Sequence, residues 1–90
     1  MNKSDVISHV AEEHALSIDE ASFLVNAFFD AVKDALITGD RVEIRGFGSF
    51  KTKDYAGYKG RNPKTGDAVV VPPKKLVAFR SGKELRSLIN

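Results

Sequence analysis

The loop GRNPKTG, residues 60–66, holds two cations, an amide side chain and a proline between two glycines. Arg61 suits the negative potential of a minor groove, and Asn62 can hydrogen-bond to acceptors on base edges. Pro63 is an apolar ring without an amide donor, which suits a wedge between stacked bases, and Lys64 adds a second charge. By itself, Asn-Pro in a glycine-rich loop is more typical of a simple turn. The loop therefore indicates nucleic-acid recognition only if the rest of the chain supports it.

Charge is divided unevenly along the 90-residue sequence, whose net charge is only +2. Residues 1–40 carry two cations against eight acidic residues, for a net charge of −6. Residues 41–90 carry twelve cations against four acidic residues, for a net charge of +8. A strongly basic segment indicates an anionic partner, either nucleic acid or an anionic membrane surface, although a solvated basic face has the same composition.

Two helices are predicted in the acidic segment. Asn2 and Ser17 are each followed three residues later by an acid, Asp5 and Glu20, in the pattern of a capping box. The second helix is expected to end at Gly39, because glycine favours the left-handed conformation of a helix C-terminus. Its apolar stripe is wider than one short neighbouring helix could cover. A second copy of the protein is the expected cover.

Strands are predicted after Gly39, where the apolar period changes from about 3.6 residues to 2. The GFGSF stretch, residues 46–50, would reverse the chain between the first two strands. The second strand and the segment DAVVVPPKKLVAF form a long hairpin around the loop 60–66. Val77 and Phe79 are expected to face inward at the base of this hairpin.

The distal part of the hairpin is expected to be an arm, about residues 52–76, because Pro72 and Pro73 remove ladder donors from its third strand. Neither face of the arm could bury much, so the arm should be mobile. About 65 residues then remain for the body, a size at which a single core is marginal. Dimerisation would solve this problem. The predicted dimer core consists of Leu24, Phe28, Phe29, Val32, Leu36, Ile44, Phe47, Phe50, Val77 and Phe79.

A third capping box, Ser81 to Glu84, predicts a short C-terminal helix. Its inward residues are expected to be Leu85, Leu88 and Ile89. The predicted fold class is α+β, in one domain. Its parts are a helical dimerisation part, residues 1–39; a three-stranded antiparallel sheet that extends into the arm, residues 40–80; and the C-terminal helix, residues 81–90.

The arm and the strand leading into it combine lysines with tyrosines. Neutralisation of phosphates by such cations supplies salt-dependent affinity without reading sequence. A solvated hairpin would explain the charge, but it would not explain the loop at the tip. The candidate DNA-binding residues are Lys51, Lys53, Tyr55, Tyr58, Lys59, Arg61, Asn62, Pro63, Lys64, Thr65, Lys74 and Lys75.

Motifs for catalysis and metal binding are incomplete. Residues 64–66 spell the KTG of serine β-lactamases, but no Ser-x-x-Lys nucleophile motif accompanies them. Neither glycine-rich stretch matches a dinucleotide or phosphate-loop fingerprint. His9 and His14 are five residues apart, so they lie on different faces of the first helix, and there is no cysteine. We therefore expect no catalysis, cofactor, metal ion or small-molecule substrate.

A structural module that binds acidic protein or lipid surfaces is the alternative of a different class. Lysines alone would permit it, but an interfacial helix needs a basic face beside a strongly apolar one, and the basic segment is predicted as a ribbon. The apolar runs are shorter than the roughly 18 residues of a membrane span, and the first residues lack the zones of a secretory signal. A cytoplasmic location without membrane association is expected.

Three segments together, GFGSF, GRNPKTG and FRSGKELR, resemble the bacterial HU and integration host factor family of DNA-bending proteins in order and separation. The likeness covers essentially the whole chain. It implies an intertwined dimer whose two arms embrace DNA along the minor groove, with a proline at each tip that kinks the DNA, the position occupied here by Pro63. It also implies phosphate contacts along the body from Lys3, Arg80, Lys83 and Arg86.

Tyr55 and Tyr58 occupy arm positions that are commonly basic in HU proteins, which predicts weaker but not abolished arm binding. VEIRGFGSF and GRNPKTGD look especially like the beta subunit of integration host factor, in which the residue matching Arg45 reaches the minor groove and contributes to sequence preference. Some HU proteins share this stretch, so Arg45 does not decide between them.

The sequence as a whole predicts a histone-like, nucleoid-associated homodimer that bends and compacts duplex DNA with little sequence specificity. The alternative within the family is an integration-host-factor-like subunit that bends DNA at preferred sites, with a heterodimer of related subunits as a further possibility.

Overall fold

The computed structural model describes all 90 residues and begins with two helices, α1 (Lys3–Glu13) and α2 (Ile18–Ile37). Both predicted capping boxes are present. The Asn2 side chain accepts from the Asp5 N–H at 3.0 Å, and the Asp5 carboxylate accepts from the Asn2 N–H at 2.9 Å. Ser17 and Glu20 make the equivalent pair of bonds at 3.1 and 3.0 Å. These bonds satisfy amide groups that have no partner inside the helix, and so they fix where each helix begins.

Helix α1 ends in a tight turn in which Ala15 has a φ of +51°. The Leu16 N–H donates to the Ala11 carbonyl at 2.9 Å, the closing bond of a left-handed helix C-terminus. This turn returns the chain so that α2 packs against α1. Ala11, Ala21 and Val25 are the three buried residues of the chain. The buried core of the single chain is therefore small.

Three strands form an antiparallel sheet in the order β1 (Val42–Ile44), β2 (Gly48–Tyr55) and β5 (Lys74–Ser81). Two further strands, β3 (Tyr58–Arg61) and β4 (Ala68–Val71), form a separate two-stranded ribbon. The turn from β1 to β2 contains Gly46, which has a φ of +85°. Together with the helices, this architecture confirms the predicted α+β fold class.

The long hairpin is divided where Ala56 and Gly57 lie across from Pro72 and Pro73. The last pair of the sheet is Tyr55 with Lys74, and the first pair of the ribbon is Tyr58 with Val71. Two prolines remove two ladder donors here. A Cβ atom on Gly57 would lie 2.6 Å from the Val71 carbonyl oxygen and 2.9 Å from Pro73, so only glycine fits. The arm therefore consists of a sheet extension and a distal ribbon.

Helix α3 (Lys83–Ile89) does not begin with the predicted capping box. Its N-cap is Gly82, which has no side chain, and the prediction for Ser81 is wrong. Ser81 remains in β5, paired with Gly48 in β2, and this pairing holds it in the sheet. The Gly82 N–H instead donates to the Phe47 carbonyl at 2.8 Å.

The expected inward orientation of Leu88 and Ile89 is also wrong for the single chain, because both are exposed, to 78% and 72%. No other helix or strand of the same chain packs extensively against α3. Leu85, by contrast, is half-buried as expected.

A large apolar face of the chain is open. Side chains of α2 and of the sheet line a cavity of about 580 Å³, and every residue in its wall is apolar. The lining residues are Phe28, Phe29, Val32, Leu36, Ile44, Phe47, Phe50 and Val77. Helix α2 thus lies against one face of the sheet, and the eight acidic residues of segment 1–40 are all exposed. No helix has the length and apolarity needed to cross a membrane.

Candidate nucleic-acid interface

The register between β2 and β5 separates apolar from cationic side chains. On one face, Phe50 pairs with Phe79, and their ring centroids are 4.8 Å apart. The alternate positions Lys51 and Lys53 point to the other face, because successive side chains of a strand point in opposite directions. Arg80 joins them there through its pairing with Ser49. The face of the sheet that is turned away from α2 is therefore basic.

This basic face continues towards the arm. Tyr55 alternates with Lys53 and pairs with Lys74, so both residues belong to the same face. Lys75 lies on the opposite face, where its Nζ is 3.9 Å from the Asp54 carboxylate in a highly exposed ion pair. Of the two neighbouring lysines, only Lys74 therefore extends the row formed by Lys51 and Lys53.

Arg41 belongs to this surface and was missed among the candidate residues. It lines the same depression as Lys51, Lys53 and Arg80, and its guanidinium is 2.6 Å from the Glu43 carboxylate. The sequence contained a signal for this position: Arg41 is two residues before Glu43, so both side chains are expected on the same face of the first strand.

A second depression, of about 610 Å³, brings together three arginines that are distant in sequence, Arg45, Arg80 and Arg86. Its floor is formed partly by glycines. A Cβ atom on Gly48 would lie 2.5 Å from the Arg80 carbonyl oxygen and 2.6 Å from the Phe79 ring, so the two strands approach this closely only because residue 48 is glycine. The depression places the residue expected in the minor groove beside two that are expected at phosphates.

Lys3 and Lys83 are each the first residue of a helix. Lys83 is the first residue of α3 and is exposed. Lys3 begins α1, and its Nζ donates to the Asn26 side-chain oxygen at 2.8 Å, a bond that ties α1 to α2. The structure therefore does not bring Lys3 together with the cations of the sheet face.

The distal ribbon carries Lys59 and Arg61 on one face, opposite Val70 and Ala68. Tyr58 occupies the other face and is exposed. Val70 is 71% exposed, so the ribbon presents an apolar side chain next to its cations. The DAVVV run predicted a strand, but nothing in its apolar residues indicated that Val70 would lie beside cations.

The tip itself is closed by hydrogen bonds around the Pro63 apex. The Asn62 N–H donates to the Asp67 carbonyl at 2.9 Å, and the Gly66 N–H donates to the Asn62 carbonyl at 2.7 Å. Gly66 has a φ of +74°, the left-handed conformation that glycine adopts most easily. The Thr65 hydroxyl accepts from the Asp67 N–H at 3.3 Å. All of the residues of the tip, 61–67, are exposed.

The predicted dimer core is only partly contiguous in one chain. Eight of its ten residues line the open apolar cavity. Leu24 lies in an adjoining groove between α1 and α2, next to Phe28 and Phe29. Phe79 packs its ring against Phe50 and against Phe47, the latter at a centroid distance of 5.4 Å. The role of these residues in a dimer stays a prediction.

Comparison with known proteins gives consistent results. The model of the family described as Bacterial DNA-binding protein matches residues 1–90. The DNA-binding protein HU of Geobacillus stearothermophilus is 43% identical over 89 residues, with 99% of each chain covered. DNA-binding protein HU 1 of Bacillus subtilis is 40% identical over 89 residues, covering 99% of this chain and 97% of the relative.

Among solved structures, an Anabaena HU–DNA cocrystal structure matches with a TM-score of 0.87 and 32% identity, covering 99% of this chain and 97% of that chain. HU from Thermotoga maritima matches with a TM-score of 0.66 over all of both chains; at 24% identity this likeness concerns the fold alone. The predicted family resemblance is thereby confirmed, and the chain belongs to the bacterial DNA-binding protein family, with HU proteins among its relatives.

Proposed function

We propose that this protein is an architectural DNA-binding protein of the HU type, which binds duplex DNA along the minor groove, bends it and compacts it with little sequence specificity. The observation that carries the proposal is the strand register, which gathers Lys51, Lys53 and Arg80 on the sheet face opposite the apolar one. Lysines and arginines on one open face suit a polyanion with regular charge spacing. Family membership and the DNA complex of the Anabaena relative support the same conclusion.

The body would hold DNA through its phosphates, and the arms would follow the minor groove. Cations of the sheet face neutralise phosphates without reading bases. Arg45, which lies in the depression with Arg80 and Arg86, would contribute a groove contact. Pro63, at the apex of the tip, would enter between base pairs and unstack them, which costs a few kcal/mol but bends the DNA onto more protein surface. Tyr55 and Tyr58 would pack on sugars instead of supplying charge.

We propose that the working form is a dimer of two identical chains. The open apolar cavity between α2 and the sheet needs a cover, and a chain with three buried residues has too small a core to be stable alone. A second copy would cover this face and would add a second arm. A heterodimer with a related subunit would satisfy the same requirement.

We also propose a place in the nucleoid, where the DNA ligand is found, and an action that involves no catalysis, cofactor or small-molecule substrate. The proposed ionic, groove and wedge contacts would account for bending without a chemical step. An integration-host-factor-like subunit remains the second candidate, and Arg45 is the residue that favours it. The HU relatives favour the less specific function.

The proposal is tested by titrating a random-sequence duplex with the protein at several salt concentrations. We expect log affinity to fall linearly with log salt, because each phosphate contact releases counterions. No binding at low salt would disprove the proposal. Selection of bound sequences from a random duplex pool separates the two family functions: no consensus supports the HU type, whereas a strong consensus supports the site-preferring alternative.

A further inference from the structure

We propose that Asn62 is a positioning residue for the Pro63 wedge, acting through its side-chain oxygen. This inference rests on the proposed DNA-bending function and deepens it. The Asn62 Oδ1 atom accepts a hydrogen bond from the Lys64 N–H at 2.9 Å, which spans Pro63 from one side to the other. A side chain that bonds two residues ahead holds the backbone in a turn of fixed shape.

Pro63 depends on its neighbours for its position, because proline has no N–H with which to bond. The chain before Pro63 is fixed by the two backbone bonds of Asn62, to Asp67 and from Gly66. The chain after Pro63 is fixed by the bond from the Lys64 N–H to the Asn62 side chain. The apex is therefore held on both sides in an arm that has no packed core. Asn62 contributes to both sides, through its backbone and through its side chain.

Preorganisation of this kind lowers the cost of wedge insertion. A wedge must enter between bases in one orientation, and any conformational freedom of the free loop would have to be removed at that step. The ribbon can become ordered when it binds DNA, whereas the tip is already folded before binding. The Asn62 Nδ2 group makes no hydrogen bond within the protein, so it stays free to donate to groove acceptors. The oxygen of the Asn62 amide thus holds the turn, and its nitrogen is available for DNA.

Three substitutions at residue 62 separate these roles. Asn62→Ala removes both the acceptor and the donor, whereas Asn62→Asp and Asn62→Ser keep an acceptor that can form the same turn and remove the amide donor. Asn90→Ala is the matched control, because Asn90 is an exposed residue at the end of α3 whose amide bonds only to the Arg86 carbonyl. Bending is measured at saturating protein by fluorescence transfer between the ends of a labelled duplex.

We expect Asn62→Ala to lose at least half of the change in transfer efficiency, and Asn62→Ser and the control to keep most of it. Asn62→Asp should bend at saturation but bind several-fold more weakly, because its charge repels phosphates. Wild-type bending by Asn62→Ala would overturn the inference. Equal loss in Ala, Ser and Asp variants would also overturn it, since the amide donor would then be the essential group.

A second measurement is independent of DNA. The Lys64 amide of the free protein should exchange its hydrogen faster in Asn62→Ala than in the wild-type or Asn62→Ser protein, because its acceptor is gone. Equal exchange in all three proteins would overturn the positioning contact. If the wild-type protein fails to bend any duplex, the proposed function fails, and the exchange measurement still decides whether Asn62 orders the tip.

Discussion

Phe50 and Phe79 lie directly opposite each other in β2 and β5, with ring centroids 4.8 Å apart and ring planes inclined by 46°. This pair joins the two strands that carry the arm, and it does so on the face turned towards α2. Neither ring is buried in the single chain. This pair, the closest of the aromatic pairs in the sheet, therefore stays partly open to solvent in the single chain.

Phe79→Ala is expected to destabilise the dimer by about 3–5 kcal/mol, the usual cost of removing a buried phenylalanine. Thermal unfolding at several protein concentrations measures this loss and shows whether association is linked to folding. Phe23→Ala is the control, because Phe23 is 75% exposed and lines a separate groove with Leu16 and Leu24, whereas Phe79 packs against the cavity residues Phe47 and Phe50. Equal stability of the two variants would contradict the predicted dimer core.

Pro63→Ala is expected to leave the dimer intact and to reduce DNA bending, because a smaller side chain no longer separates stacked bases. Fluorescence transfer across a labelled duplex measures the bend, and sedimentation measures the dimer. An unchanged bend angle would exclude Pro63 as the wedge.

Lys51→Gln is expected to reduce the steepness of the salt dependence by about 0.9 in the slope of log affinity against log salt, the value for one lost phosphate contact. Lys33→Gln removes the same charge from α2, where Lys33 is exposed and 3.7 Å from Asp30. Binding titrations of both variants should show the change only for Lys51. The same slope change in both would mean that net charge, and not the basic face, determines affinity.

Ala15→Gly is expected to stabilise the protein by about 1 kcal/mol, because an L-residue in the left-handed region costs roughly 1–2 kcal/mol and glycine does not. The φ of +51° at Ala15 is the basis for this expectation. Ala31→Gly, at an exposed position within α2, should instead destabilise by about 1 kcal/mol. Denaturant unfolding should therefore give opposite signs for the same chemical change, and equal signs would contradict the conformation of Ala15.

Ser17→Ala is expected to raise the pKa of Glu20 only in part, because it removes the hydroxyl but keeps the main-chain N–H. The hydrogen bond from the Ser17 N–H and then the contact with the Ser17 hydroxyl hold this pKa below its ordinary value of 4.5. A carboxyl whose pKa is lower in the folded state stabilises the protein above pH 4.5, and this contribution is lost as the pH falls through the folded value. NMR titration of the Glu20 carboxyl checks the shift, and an unchanged pKa in Ser17→Ala would contradict it.

Local rules predicted most of the fold. Asn2 and Ser17 signalled the two helix starts because a capping box uses side chains close in sequence. The same signal failed at Ser81, because the strand pairing with Gly48 decides the conformation there. Ala15 gave no signal for a left-handed turn, since alanine favours helix. The two prolines predicted an arm outside a central sheet, but the division into sheet and ribbon depends on the close approach of Gly57 to Pro73.

The sequence predicted which residues belong to the candidate site, but it did not predict how they are arranged in space. Alternation placed Lys51 and Lys53 on one face, and no pattern within the sequence could place Arg45, Arg80 and Arg86 around one depression. That arrangement needs the register between strands that are about thirty residues apart. The hydrogen bond from the Lys64 N–H to the Asn62 side chain could not be predicted for a different reason. The sequence GRNPKTG is equally compatible with a loop that lacks this bond.

Helix α2, which carries four of the exposed carboxylates, lies against the sheet face opposite the basic face. On a duplex covered by this protein, carboxylates would replace phosphates as the negatively charged groups at the outer surface. Two covered duplexes would therefore still repel each other, and bound protein molecules would not cross-link neighbouring duplexes. On this geometry, compaction would come from the curvature of each DNA segment.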